Sequence, residues 1–210
     1  MKRRELVLGA GPALVGIGAL GSGLVGGARP LRAETPLGEA GPSDRVLGDP
    51  EAPVTVVEYA SMTCPHCAAF HSDTLPKLKE EWIETGKAKL VYRHYPLDQL
   101  ALRAALLADC FEGDRFFAML DMLFKQQGRW ARAEEPLQHL ARLAGMAGLS
   151  QERFEACMTD EARRDAILEE QLRARDEAGV QSTPSFLIDG EMMAGNQGYE
   201  SFAKRLRAAL

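Results

Sequence analysis

The sequence predicts an α/β protein: a central mixed sheet flanked by helices, with an α-helical domain inserted between its two halves. Three observations carry this. A β-α-β pattern opens the globular part, a run of amphipathic helices follows with no strand signal, and a β-β-α pattern closes the chain. The length of 210 residues suits one large domain or a small domain with an insertion.

Val54-Thr55-Val56-Val57-Glu58-Tyr59 is β-branched and bounded by Pro53 and a turn at Ser61, so it reads as a strand buried on both faces. Over residues 65–85, apolar side chains including Phe70, Leu78 and Trp82 recur at helical spacing; Pro76 is expected to kink this helix and Gly86 to cap it. Residues 88–95 form a second strand, stopped by Pro96. Segments 98–111, 114–127, 135–147, 150–158 and 160–178 each read as amphipathic helices, with Ser150 and Asp160 as N-caps. Residues 183–188 return to a strand pattern, Asp189-Gly190 turns, and a short strand through Met192-Met193 precedes a last helix over 199–210. The domains follow: 51–96 with 179–210 carry the sheet, 97–178 the inserted helices, and 34–50, rich in Gly, Pro and charge, a flexible arm. Trp82, Trp130, Phe116 and Phe117 are expected in the core or lining a groove, and His71, His94 and His139 in structural or solvent-facing places.

Residues 1–33 are of a different kind. Lys2, Arg3 and Arg4 precede an uncharged stretch rich in Gly, Ala, Leu and Val, which reads as a signal peptide with small-residue cleavage sites at Ala28 and Ala33. Arg3-Arg4 also fits a twin-arginine signal. If the signal is not cleaved, residues 6–28 are long enough to anchor the chain in a membrane. The net charge of −5 argues against nucleic acid as a partner, since that affinity needs a basic face.

The four cysteines, Cys64, Cys67, Cys110 and Cys157, all lie beyond the signal. Export leads to an oxidising compartment, where disulfides are expected. Of three possible pairings, Cys64 with Cys67 is a tight local pair, which leaves Cys110 for Cys157 as a brace across the insertion; two free buried thiols are the alternative. Cys64-Pro65-His66-Cys67 follows a buried strand and opens a helix. Unpaired N–H groups and the helix dipole favour a thiolate on the first cysteine. Pro65 suits the first helical position, and a protonated His66 adds positive charge beside the Cys64 sulfur. Cys67, one turn in, is the resolving thiol. Zinc held by Cys64, His66, Cys67 and His71, or a purely structural disulfide, are the rival readings of the same residues.

With Arg93-His94-Tyr95-Pro96-Leu97 before the insertion and Thr183-Pro184 after it, the mature chain resembles the DsbA family of thioredoxin-fold oxidases. That resemblance implies a thioredoxin-like fold split by a helical domain. Pro184 matches a cis-proline beside the redox motif, with Thr183 and Pro184 contacting substrate. Glu58 matches an acidic residue kept buried below the disulfide as a proton acceptor. Some relatives share the Cys110–Cys157 brace. The expected activity is a periplasmic thiol:disulfide oxidoreductase that passes its Cys64–Cys67 disulfide to unfolded or partly folded proteins with free thiols. The expected partner is a membrane quinone-linked protein that reoxidises it, and no cofactor or metal is called for. Thr183 departs from the valine of the best-known oxidases and occurs in the isomerase branch. Isomerases look like dimers built through an extra N-terminal domain, and 34–53 has no room for one, so a monomeric oxidase is expected. A reductase or isomerase of the same fold is the alternative, and a non-catalytic metal- or peptide-binding protein a further one.

Overall fold

β2 (Val54–Ala60) is the middle of the sheet, because its apolar side chains find cover on both faces. It pairs in parallel with β3 (Ala88–His94) and antiparallel with β4 (Ser185–Ile188). β5 (Glu191–Ala194) extends the sheet beyond β4, and β1 (Arg45–Leu47) lies antiparallel on the far side of β3, giving the order β1-β3-β2-β4-β5. This computed structural model describes residues 36–210; the signal or anchor expected of 1–33 lies outside the described residues.

The two-residue period of the strands sorts their side chains into layers. Val54, Val56, Leu90, Phe186 and Ile188 face one way, under Phe70, Leu78 and Trp82 and under Phe202 and Leu206 of the last helix, α9 (Tyr199–Ala209). Val57, Tyr59, Val91 and Leu187 face the other way, against Ala174 of α8 (Glu161–Glu177). Glu58 shares the parity of Val54 and Val56, so a carboxylate points into the first of these layers.

The helix after β2 does not simply kink. It runs as α1 (Pro65–Ala69), a π turn over Phe70–Thr74, α2 (Leu75–Leu78) and a second π turn over Lys79–Ile83. Pro76 has no N–H for the carbonyl one turn back. The helix widens just before it, with Leu75 N–H reaching back five residues to the Phe70 carbonyl.

Between β3 and β4 come α3 (Gln99–Ala108), α4 (Asp114–Lys125), α5 (Gln127–Trp130), α6 (Pro136–Met146), α7 (Gln151–Met158) and α8. Ser150 and Asp160 accept the Arg153 and Arg163 amides as N-caps, and Asp98 does the same for Ala101. These helices share their core with the redox motif: one apolar cluster runs from Leu107, Phe116, Leu120, Trp130 and Leu140 to Met62, Cys64, Cys67 and Tyr92. Cys110, just past α3, is disulfide-bonded to Cys157 on α7.

The arm expected over 34–50 is, among its described residues, tied to the sheet, with β1 part of it. Arg93 is the reason. The residue is 5% exposed. It donates to Leu37 and Glu39 carbonyls, to both Asp44 carboxylate oxygens and to the Tyr59 hydroxyl. A buried guanidinium demands all of these acceptors, and residues 37–44 supply most of them. Replacing Arg93 with Leu leaves those acceptors unpaired. The expected result is a loss of about 3 kcal/mol in urea unfolding, with faster amide exchange along 37–44.

Candidate active site

The site is built where β2 ends. The Ser61 carbonyl accepts the Cys64 N–H at 3.1 Å, which turns the chain. The Thr63 hydroxyl donates to Asp98 at 2.7 Å, tying the turn to the cap of α3. Cys64 is extended (φ −77°, ψ 119°) at the N-cap, and Pro65 is the first helical residue, as its missing N–H favours. Pro65 and His66 are exposed, Cys64 is 5% exposed and Cys67 not at all. Both cysteines are free thiols. The buried Gln127 of α5 donates through one amide nitrogen to the Met62 and Cys64 carbonyls, at 2.9 and 3.0 Å, and so clamps the loop that presents Cys64. A cavity of about 410 Å³ opens beside the motif, lined by Thr63, Pro65, Asp98, Leu100, Gln127 and Arg132 among others.

The two sulfurs sit in opposed environments. The Cys64 pKa falls from 9.0 to about 5: the Cys67 thiol donates to its thiolate, and, against the cost of burial, the Thr183 hydroxyl and the backbone N–H groups of Cys67 and His66 add to the stabilisation. His66 thus acts through its amide, with its imidazole out in solvent. Cys67 is pushed upward by burial, then by its hydrogen bond and repulsion from Cys64 and by the Glu58 charge. Thr183 offers a different atom to each state of Cys64. Its carbonyl, 3.2 Å from Sγ, accepts from the thiol; its hydroxyl, buried and unpartnered in the structure, favours the thiolate.

Thr183-Pro184 is a cis peptide and lies against the motif through that contact. Glu58 is fully buried beneath, in register with Tyr92 on one side and Phe186 on the other. Its carboxylate meets His71 Nε2 at 3.1 and 3.2 Å. Cys110 and Cys157 lie away from this group, in their disulfide. Among the described residues no group of three or more His, Cys, Asp or Glu is placed to hold a metal ion. Two residues escaped sequence reasoning. Gln127 lies 63 residues from Cys64, and no spacing signals it. His71 was readable, since it falls one helical turn after Cys67 on the same face.

The sheet order, a dithiol at a helix start and a cis-proline loop against it define a thioredoxin-like protein. A family model described as Thioredoxin matches residues 40–208. Wolbachia pipientis alpha-DsbA1 is similar at 32% identity and a TM-score of 0.77, over 81% of this chain and 92% of that one. The structure named as a protein-disulfide isomerase from Novosphingobium aromaticivorans matches at 26% identity and a TM-score of 0.68, over 79% and 96%. A Rickettsia bellii chain provisionally named a protein-disulfide oxidoreductase is 32% identical over 150 residues, 70% of this chain. This chain spans 58% of that relative's length. The chain therefore belongs to the thioredoxin family, among its DsbA-like members.

Because the folded pKa of Cys64 lies below the unfolded one, the thiolate stabilises the reduced fold fully above pH 9 and loses that effect as pH falls towards 5. At pH 7, about two pH units above the folded pKa, the effect is about 3 kcal/mol. Urea unfolding of the reduced chain against the oxidised chain is expected to show this slope, and absorbance at 240 nm to place the titration near pH 5. Thr183→Val, which keeps the carbonyl and removes the hydroxyl, is expected to raise that pKa. Gln127→Leu, which frees two loop carbonyls, is expected to cost about 1–3 kcal/mol and to raise the Cys64 pKa as well.

Proposed function

We propose that this chain is an exported dithiol oxidase of the periplasm that donates a Cys64–Cys67 disulfide to folding proteins. The observation that carries the reading is the split between the sulfurs: Cys64 is a stabilised thiolate, and Cys67 is a buried thiol that keeps its proton. A substrate thiolate attacks Cys64 Sγ of the oxidised form, the Cys64–Cys67 bond breaks, and Cys67 leaves and is protonated. A second substrate thiolate then attacks the substrate sulfur of the mixed disulfide. The substrate disulfide forms, and Cys64 departs as a thiolate that needs no proton. Two electrons pass from substrate to protein. A leaving group held at a pKa of about 5 favours this direction, and about 3 kcal/mol in the reduced form at pH 7 corresponds to roughly 60 mV towards oxidant.

Thr183, Pro184 and the cavity beside Pro65 supply the surfaces that meet the substrate chain. Unfolded proteins with free thiols are the substrates, a membrane quinone-linked protein restores the disulfide, and the chain works as a monomer. Export rests on the basic start and apolar run of residues 1–33. No helix among the described residues is long and apolar enough to cross a membrane. Thr183 and the isomerase-named relative favour a second reading, a reductase or isomerase using the same sulfurs.

Oxidation of a reduced two-cysteine peptide, compared with reduction of insulin, separates the two. The oxidised chain is expected to convert the peptide in stoichiometric amounts, and Cys64→Ala to abolish this. A chain that reduces insulin and leaves the peptide unchanged would overturn the oxidase reading in favour of the second.

A further inference from the structure

Cys67 gains or loses a proton in every cycle of the reaction proposed above, yet the residue has no solvent exposure. Its proton needs a protein partner. The titratable groups around it are Cys64 in the same motif, Glu58 on β2 and Tyr92 on β3. Tyr92 is no acceptor, since its buried hydroxyl has no hydrogen-bond partner and burial holds its proton in place. Beyond Tyr92 lie His94, ring to ring at 5.0 Å, and Asp109, 3.5 Å from His94. Glu58 is left as the acceptor, but it too is fully buried.

Both Glu58 oxygens lie against one atom, His71 Nε2. The His71 side chain keeps 5% exposure, and that of Glu58 keeps none. His71 sits in the π turn one helical turn past Cys67. Its ring is stacked on Phe124 of α4 with centroids 4.2 Å apart, and the edges of Phe70 and Tyr92 close around it. The imidazole is therefore held in one plane, with a carboxylate on the inside.

We propose that His71 is the exit for the Cys67 proton, passing to solvent what Glu58 receives from the thiol. The inference rests on the dithiol reading above. When the reduced chain is oxidised, the Cys67 S–H bond breaks and its proton goes to Glu58. The Cys67 thiolate attacks Cys64 of the mixed disulfide, the Cys64–Cys67 bond forms, and the bound thiol leaves with the electron pair. Glu58 passes the proton to His71 Nε2, and the ring releases one from Nδ1 to water. His71 touches no reacting sulfur; it is a positioning residue that acts through Glu58.

The test follows oxidation of the reduced full chain by glutathione disulfide in stopped flow. At saturating glutathione disulfide the rate reports the Cys67 attack. His71→Gln is expected to slow that plateau roughly 100-fold, the low end for lost acid–base assistance, and to alter its pH profile and solvent isotope effect. The Cys64 titration at 240 nm is expected to stay in place. Glu58→Gln is expected to slow the same step, and the double variant to be no slower than Glu58→Gln alone. His71→Phe keeps the stack on Phe124 and is expected to be as slow, which serves if the Gln variant does not fold. A plateau unchanged in a folded His71 variant, or two losses that multiply in the double variant, overturns the proposal. A wild-type chain that forms no mixed disulfide at Cys64 overturns the dithiol reading instead.

Discussion

The hydrogen bond from the Cys67 thiol to the Cys64 sulfur ties the charge on one cysteine to the proton on the other. It is the largest influence lowering Cys64 and the second, after burial, raising Cys67. Each sulfur thus holds the other in its state, and much of the surrounding structure serves to keep them apart in character. Cys64 stands extended at the N-cap, where the amides of His66 and Cys67 favour its thiolate. Residue 67 is carried into the core by the same turn of backbone, away from water. A pair with equal environments would have no preferred nucleophile and no preferred leaving group. Here the asymmetry comes from a difference of three residues along one helix start.

That asymmetry is enforced from outside the motif. The inserted helices do not form a separate core; they pack on Met62, Cys64, Cys67 and Tyr92, and Gln127 fixes the carbonyls on either side of Thr63. The sheet contributes from beneath through Glu58 and from the side through Thr183. The site is therefore a junction of β2, the first inserted helices and the cis-proline loop. On the opposite face, Arg93 anchors residues 37–44, so the strand that carries the site is covered on both sides.

How far the sequence discloses this depends on the range of the forces involved. β2, β3 and β4 are legible because β-branched runs between prolines and turns have a local signature. Ser150 and Asp160 are legible because a cap acts within three residues. Cys64, Cys67 and Pro184 are legible through a short motif and a family resemblance. β1 is not, since three residues carry no period and Arg93, far along the chain, fixes their place. Gln127 is hidden for the same reason: its amide is an ordinary helical residue until the fold brings the loop to it. Pro76 signals a disturbance in the helix, yet whether the ladder kinks or widens is decided by packing on both flanks. Glu58 is legible as an odd acid in an apolar strand and His71 by its spacing from Cys67, while the contact between them is made only by the packing of helix on strand.

The π turn at Phe70–Thr74 bears on how this site tolerates length changes. A π turn holds one residue more than an α turn, so the helix on its two sides is out of phase by about 100°. Cys67 before it and Leu78 and Trp82 after it all face inward because that extra residue is present. Loss of one residue there would swing one flank around the other and leave the Cys64–Cys67 spacing intact. The motif that a pattern search detects and the buried pair beneath it therefore meet at a phase joint. A one-residue deletion at that joint would keep the four-residue signature and change what lies under it.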